Sequence, residues 1–157
     1  VGYGSTADSY RITDIHPEGR GAAACIKMAM DDAQVNPEDI DYINAHGTST
    51  PENDKMEYGA MLSVFGDRLK DAIPASSNKS MIGHTLTAAG AVEAVFSIQT
   101  MLTGTVPPTI NYTNPDPSIV LDVVPNVKRE ASVSAVLSNS FGFGGQNASL
   151  VMTREPV

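Results

Sequence analysis

Cysteine is almost missing from this chain: Cys25 is the only one. That excludes an intramolecular disulfide and fits a reducing compartment. Cations are scarce too, with 10 Lys and Arg against 18 Asp and Glu for a formal net charge of −8. A nucleic-acid partner wants a basic surface, so that class is set aside, and nothing in the charge balance advertises docking of an acidic protein either. No apolar run approaches the roughly 20 residues of a membrane span, and no basic, apolar-cored leader opens the chain. His16, His46, His84 and Cys25 show none of the short ligand spacings of a zinc site. A starting methionine is also lacking. The first residues, Val1-Gly2-Tyr3-Gly4, read as the tail of a strand, so a fragment of a longer protein is expected.

What is there reads as one globular domain. The chain has 157 residues, 41% hydrophobic and 18% charged, enough for a sizeable core and too apolar for disorder. Residues 20–33 carry Ala22, Cys25, Ile26, Ala29 and Ala33 at the spacing of an amphipathic helix, stopped by Asn36-Pro37-Glu38-Asp39. A strand is expected over 40–45. Thr50 then reads as an N-cap with Pro51 at the first helical position, giving a second helix over 52–65 that stops at Gly66. After a short strand over 73–77, residues 83–102 read as one long helix, apolar on most of its circumference and hence buried between layers. The Pro- and Asn-rich residues 111–118 read as loop. Residues 134–140 and 148–153 read as antiparallel strands joined by Gly142-Phe143-Gly144-Gly145. Alternating strands and helices ending in a hairpin predict an α/β layered domain with a mixed sheet.

Two turns stand out. Asn44-Ala45-His46-Gly47-Thr48-Ser49-Thr50 puts an imidazole and three hydroxyls at the carboxyl end of a strand, where open α/β sheets bind ligands. Ser77-Asn78-Lys79-Ser80-Met81-Ile82-Gly83-His84 puts a second imidazole at the mouth of the long helix, five residues after a lysine. The helix dipole and Lys79 both disfavour an imidazolium there, so a neutral His84 is expected. A neutral imidazole that donates a hydrogen bond suits a developing oxyanion or enolate. Glu93 is the only charge on the long helix; it either pairs with Lys79 or faces a crevice of water. Phe143, between glycines, either plugs the core or gates a site, with Asn139 and Ser140 on the same rim. Cys25 lies on an apolar stripe and reads as a small buried hydrophobe rather than a nucleophile. His16 carries no signal.

These residues match a family. The segment from Asn44 to Pro51 with Asn53-Asp54-Lys55, the run from Ser77 to Glu93, the stretch from Val106 to Asn111, and the motif from Asn139 to Asn147 resemble the β-ketoacyl-acyl-carrier-protein synthases, in order. The resemblance implies the carboxyl-terminal half of such an enzyme over residues 1–157. The implied fold is the thiolase-like layered one, whose two halves are pseudo-repeats, with a mixed five-stranded sheet between helices. It implies that His46 and His84 stabilise the enolate left when a malonyl-carrier thioester decarboxylates, that Lys79 supports His84, and that Glu93 pairs with the lysine. Thr48 and Thr50 would hold the pantetheine arm. Phe143 would be the gate and an oxyanion-hole backbone donor, with Asn139, Phe141 and Gly142 on the substrate side. The implied partner is acyl carrier protein, whose phosphopantetheine carries the substrate, with no resident cofactor and no metal. A homodimer in the cytoplasm or an organellar matrix is implied for the full-length enzyme.

Within the family, Ser49 and Asn53-Asp54-Lys55 stand where modular polyketide synthases tend to carry Gly and an acidic Gly-Asp-Pro stretch, which favours the dissociated enzymes of fatty-acid elongation. Gln146 and Ser138 replace a threonine and a cysteine often found there. The family's nucleophilic cysteine belongs to the amino-terminal half, and Cys25 matches no such position. This chain alone is therefore expected not to elongate. The alternatives are a polyketide ketosynthase half, a non-catalytic chain-length-factor-like partner subunit, against which the retained His46, Lys79 and His84 count, and a structural half-domain used for dimer contacts. Arg68 and Lys70 are weak candidates for carrier docking.

Overall fold

The computed structural model describes residues 1–13 and 15–155. Its centre is a five-stranded mixed sheet in the order β1-β7-β6-β2-β3. The strands are β1 (Gly2–Ala7), β2 (Tyr42–Asn44), β3 (Ala75–Ser76), β6 (Ala135–Gly142) and β7 (Gln146–Thr153). β2 runs parallel to both β3 and β6, while β7 runs antiparallel to β6 and β1. A two-stranded sheet of β4 (Thr105–Val106) and β5 (Arg129–Glu130) lies apart from it; the sequence reading did not anticipate that pair.

The alternation of side chains along β2 and β6 splits the core in two. Ile43, Leu137 and Val151 point to one face, where α1 (Arg20–Ala33), α2 (Pro51–Phe65) and α3 (Arg68–Asp71) cover them with Ile26, Met30, Met61, Phe65 and Leu69. Tyr42 and Val136 point to the other face and meet Met101 of α5 (Ala89–Thr103) with Val106, Val124 and Val133. Helices on both faces of a mixed sheet are the layered arrangement expected from the alternating elements. α1 packs unusually close to β1. A Cβ on Gly2 would fall 2.1 Å from the Ala29 carbonyl oxygen, and one on Gly4 2.1 Å from that of Cys25.

α1 has the bounds read from its apolar spacing. Thr50 caps α2 as expected, its hydroxyl accepting from Asn53 N at 3.4 Å with Pro51 at the first position. The long helix expected over 83–102 is where the structure differs. Lys79–Ile82 form a separate turn, α4, and Gly83 breaks it with φ +77°. The His84 Nδ1 then accepts from Leu86 N at 3.1 Å, a local bond that competes with the helical ladder, and Leu86 sits at φ +54°. After one 3-10 turn (Leu86–Ala88), α5 begins at Ala89, five residues past His84.

The burial of that helix is also not what its composition suggested. Ala89, Glu93, Ser97, Thr100 and Met101 form the covered stripe, while Val95, Ile98 and Leu102 stay exposed. Most of the stripe that packs is small or polar, and its one acid is neutralised by Lys79 on the preceding turn of chain; Val95, Ile98 and Leu102 find no layer among the described residues. The 18 residues Leu86–Thr103 are long and apolar enough to cross a membrane by length and composition alone, which corrects the expectation that no run comes near a span. Met101 in the core and the ion pair of Glu93 with Lys79 join this helix to the rest of the protein.

Candidate active site

β2 ends at Asn44, and its direction carries Ala45 and His46 to the carboxyl edge of the sheet. There the chain turns sharply through Gly47, at φ +45°. A Cβ on Gly47 would fall 2.5 Å from that of Ser77, so this turn needs glycine for both its dihedral and its space. Ser77 Oγ donates to the Gly47 carbonyl at 2.7 Å and locks the turn against the end of β3.

Lys79 opens α4 and points inward. Its ammonium forms a buried ion pair with Glu93 and donates to the His46 carbonyl oxygen at 2.6 Å. The same Nζ lies 3.4 Å from His46 Nδ1. An ammonium only donates, so Nδ1 must present its lone pair and the ring proton sits on Nε2. His84 reaches the same tautomer independently, because its Nδ1 accepts from Leu86 N. The two rings stand 5.5 Å apart between centroids, edge to face at 84°. Phe141 backs the His46 ring at 5.9 Å.

Both rings are pushed toward the neutral form. Burial first, then the Lys79 and His84 charges, push His46 down to about 3. His84 is lowered by desolvation and by Lys79, although most of it is exposed in this chain. The helix-dipole argument for His84 does not hold, since α5 starts five residues later; the loss of solvent and the ammonium do the work instead. Glu93 is raised by burial, an effect that its bond to Lys79 opposes and the nearby Glu57 carboxylate reinforces.

Cavities flank this pair of rings. One, of about 660 Å³, touches Gly47, Thr48, Lys79 and His84. The other, of about 430 Å³, touches His46, Ser138, Ser140, Phe141 and Gly142.

Residues 1–113 match the family described as Beta-ketoacyl synthase, C-terminal domain. The chain belongs to the β-ketoacyl synthase family. It is 49% identical over 154 residues to 3-oxoacyl-[acyl-carrier-protein] synthase 2 of Coxiella burnetii, and 47% identical to the protein of the same name in Staphylococcus aureus. Each alignment takes in 98% of this chain and 37% of the relative, so the chain spans little more than a third of the proteins it matches. Among solved structures, a type II polyketide acyl-carrier protein in complex with its ketosynthase bound to the hexaketide matches with a TM-score of 0.94 at 41% identity. That match covers 97% of this chain and 37% of the other. A β-ketoacyl synthase from Burkholderia phymatum matches with a TM-score of 0.90 at 38% identity, over 99% of this chain and 37% of that one. The thiolase-like layered fold expected from the motifs is the fold of these neighbours.

The synthase motifs distribute their residues unevenly around the rings. His46, Lys79, His84 and Glu93 converge, but Lys79 props His46 rather than His84. The Thr48 and Thr50 hydroxyls pair at 3.0 Å on an exposed edge. Gly142 lines the smaller cavity beside Phe141, whose ring is buried. Phe143 is 80% exposed at the tip of the hairpin and plugs no core. Asn139, expected on the substrate side, is fully buried with its amide engaged on both ends: Nδ2 donates to Glu57 at 3.4 Å and Oδ1 accepts from Ser149 at 2.9 Å. It braces the site from behind, because alternation along β6 turns it away from the cavity that Ser138 and Ser140 line.

Cys25 is fully buried, its thiol pushed up by desolvation. His16 touches Tyr10 at the surface. Arg68 donates to the Pro37 carbonyl and Lys70 pairs with Asp67, so both docking candidates are engaged locally. The sequence reading missed Glu57. It is one of several acids on α2, and only its position four residues after Asn53, on the buried face, could have marked it.

Proposed function

We propose that this chain supplies the decarboxylation and oxyanion half of a β-ketoacyl-acyl-carrier-protein synthase, which joins malonyl-acyl-carrier protein to an acyl-enzyme thioester in fatty-acid elongation. The observation that carries the reading is the placement of the two rings: their centroids are 5.5 Å apart, Leu86 N donates to His84 Nδ1, and the Lys79 ammonium faces His46 Nδ1, an arrangement that suits an Nε2–H donor on each ring. Identity favours fatty-acid synthesis, at 49% to a 3-oxoacyl-[acyl-carrier-protein] synthase against 41% to the polyketide ketosynthase complex.

In this reading the malonyl thioester oxygen faces the two donors. The bond to the carboxylate breaks, its electron pair moves into the thioester as an enolate, and carbon dioxide leaves. Fixed neutral donors lower this barrier because they need no reorganisation as charge grows on oxygen. The enolate carbon then attacks the acyl thioester carbonyl, and the tetrahedral oxyanion collapses to expel a cysteine thiolate supplied by the other half of the enzyme. The Phe143 amide contributes to the oxyanion site, and its ring gates access from the exposed hairpin. Thr48 and Thr50 hydroxyls hold the pantetheine arm of the acyl carrier protein. No resident cofactor forms part of the reading, and the full-length enzyme works as a homodimer.

The test is to separate the half-reactions in the full-length enzyme. His46→Ala and His84→Ala should abolish malonyl-carrier decarboxylation while acyl transfer onto the cysteine continues. Decarboxylation at the wild-type rate in both variants overturns the reading.

A further inference from the structure

Lys79 stands on a weak support. α4 is a single turn of four residues, ended by Gly83 at φ +77°, and one helical turn does not keep its own shape in water. Yet the ammonium is seated closely enough to donate to the His46 carbonyl at 2.6 Å and to pair with Glu93. The His46 main chain is itself fixed from another direction, because the Glu57 carboxylate accepts from His46 N at 2.8 Å and Gly47 N at 2.9 Å. For the ammonium to meet that fixed carbonyl, the turn must be held by other parts of the chain.

Its ties run to two segments. Toward β2, Ser77 Oγ donates to the Gly47 carbonyl at 2.7 Å and Asn44 Nδ2 donates to Asn78 Oδ1. The other ties come from the chain that leaves β4. Ser77 N donates to Thr109 Oγ1 at 3.1 Å, and Ile110 N donates to Ser80 Oγ at 3.0 Å. Ser80 Oγ in turn donates to the Ser77 carbonyl at 2.8 Å. Thr109 and Ile110 therefore grip the turn on both sides of the lysine. Thr109 can act as an anchor because its own main chain is fixed: its N–H donates to the Val124 carbonyl at 3.0 Å, and its carbonyl accepts from Asn126 N at 2.9 Å. Val124 is 1% exposed and packs in the core with Tyr42 and Met101.

We infer that Thr109 is a positioning residue for Lys79: its hydroxyl takes the Ser77 N–H and so holds the turn where the ammonium reaches the His46 carbonyl. This rests on the proposed function and adds to it a link from the core near β4 to the donor ring. Thr109 also lines the larger cavity with Thr48 and His84. A residue that only walled the substrate would act on binding, whereas one that seats the lysine acts on the chemical step.

The experiment uses the full-length enzyme. Thr109→Val keeps the branched shape and removes the acceptor, which leaves the Ser77 N–H to find another. A misplacement of 1 Å can cost about 100-fold; for a smaller shift of the ammonium the decarboxylation kcat should fall about tenfold, with KM for malonyl-carrier and the rate of acyl transfer to the cysteine within about twofold. Thr109→Ser keeps the hydroxyl and should stay within about twofold of wild type. A crystal structure of the Thr109→Val enzyme should show Lys79 Nζ moved away from the His46 carbonyl oxygen. Unchanged decarboxylation in Thr109→Val overturns the inference. So does a rise in KM with kcat unchanged, a loss with Lys79 still in place, or a loss of both half-reactions that Thr109→Ser shares. If Thr109→Val fails to fold, Ser80→Ala decides: it removes the acceptor of Ile110 N on the other side of the lysine, and should lower decarboxylation while sparing acyl transfer. Wild-type decarboxylation in a folded Ser80→Ala enzyme then overturns the inference. Failure of the underlying function is a separate outcome, seen as wild-type decarboxylation in His46→Ala, whereas the movement of Lys79 is read without any activity.

Discussion

Lys79 and Glu93 meet inside the protein across the break between α4 and α5, 14 residues apart in the chain. The ammonium that neutralises the acid also holds the His46 carbonyl, so one ion pair docks a helix and fixes a catalytic candidate.

Removing the ammonium should expose the cost of the acid. Lys79→Ala should destabilise the protein by about 3–5 kcal/mol, the usual effect of leaving a buried charge alone. The carboxyl of Glu93 is already raised above its ordinary value of 4.5 by burial. A group raised in the folded state gives stability at low pH that is lost as pH climbs through the folded value. The melting temperature of Lys79→Ala should therefore fall from about pH 4.5 toward neutrality, while Lys79→Ala/Glu93→Gln stays level. Parallel profiles for the two proteins would remove the ion pair from the argument.

His46 gives the opposite sign. Its folded value of about 3 lies below the ordinary 6.5, so its share of stability is complete above pH 6.5 and is lost as pH falls toward 3. Thermal denaturation of wild type and His46→Gln over that range should diverge, with wild type steeper on the acid side. The decarboxylation rate should show no inflection from His46 near pH 6.5. A histidine titration near that pH, followed by NMR of the His46 ring, would contradict the neutral-donor geometry.

Asp8 should control the mobility of the glycine turn that carries Phe143. Its N–H donates to the Gly145 carbonyl at 2.9 Å, and its carboxylate accepts from Asn147 Nδ2 and His16 N. Gly144 N meanwhile donates to the Ile12 carbonyl. Asp8→Ala removes the acceptor of His16 N and the shortest of the three bonds of Asn147 Nδ2, and should cost about 1 kcal/mol. It should also speed amide exchange at Gly144 and Gly145. Unaltered exchange there would show that the turn is rigid without its strap.

Val1–Val157 alone should not elongate malonyl-carrier. Its one thiol, Cys25, is fully buried on α1 and raised by desolvation, so it neither serves as nucleophile nor reacts readily. Alkylation by iodoacetamide should be slow in the native protein and fast after denaturation. Elongation by this chain, lost on alkylating Cys25, would reverse the assignment.

The local signals were the reliable ones. Apolar spacing gave the bounds of α1, and Thr50-Pro51 gave the start of α2, because capping and amphipathicity act within one turn of chain. The motifs around His46 and His84 named the family, since each packs its site residues into a short stretch. Pattern failed where a side chain competed with the backbone for its own neighbour's N–H. A run of apolar residues after Gly83 read as one buried helix, yet the His84 side chain bonds Leu86 N and delays that helix to Ala89.

By itself the sequence determined the alternating elements, the two turns and the residue types of the site, because propensity, caps and motif chemistry are written in neighbouring residues. The tertiary structure alone decided which ring Lys79 would prop, that Asn139 would be consumed as a brace, and that Glu57 would sit under the His46 peptide. Those choices join β2, α2, α4, α5 and β6, and hydrogen bonds between segments tens of residues apart leave no periodicity for a linear reading to detect.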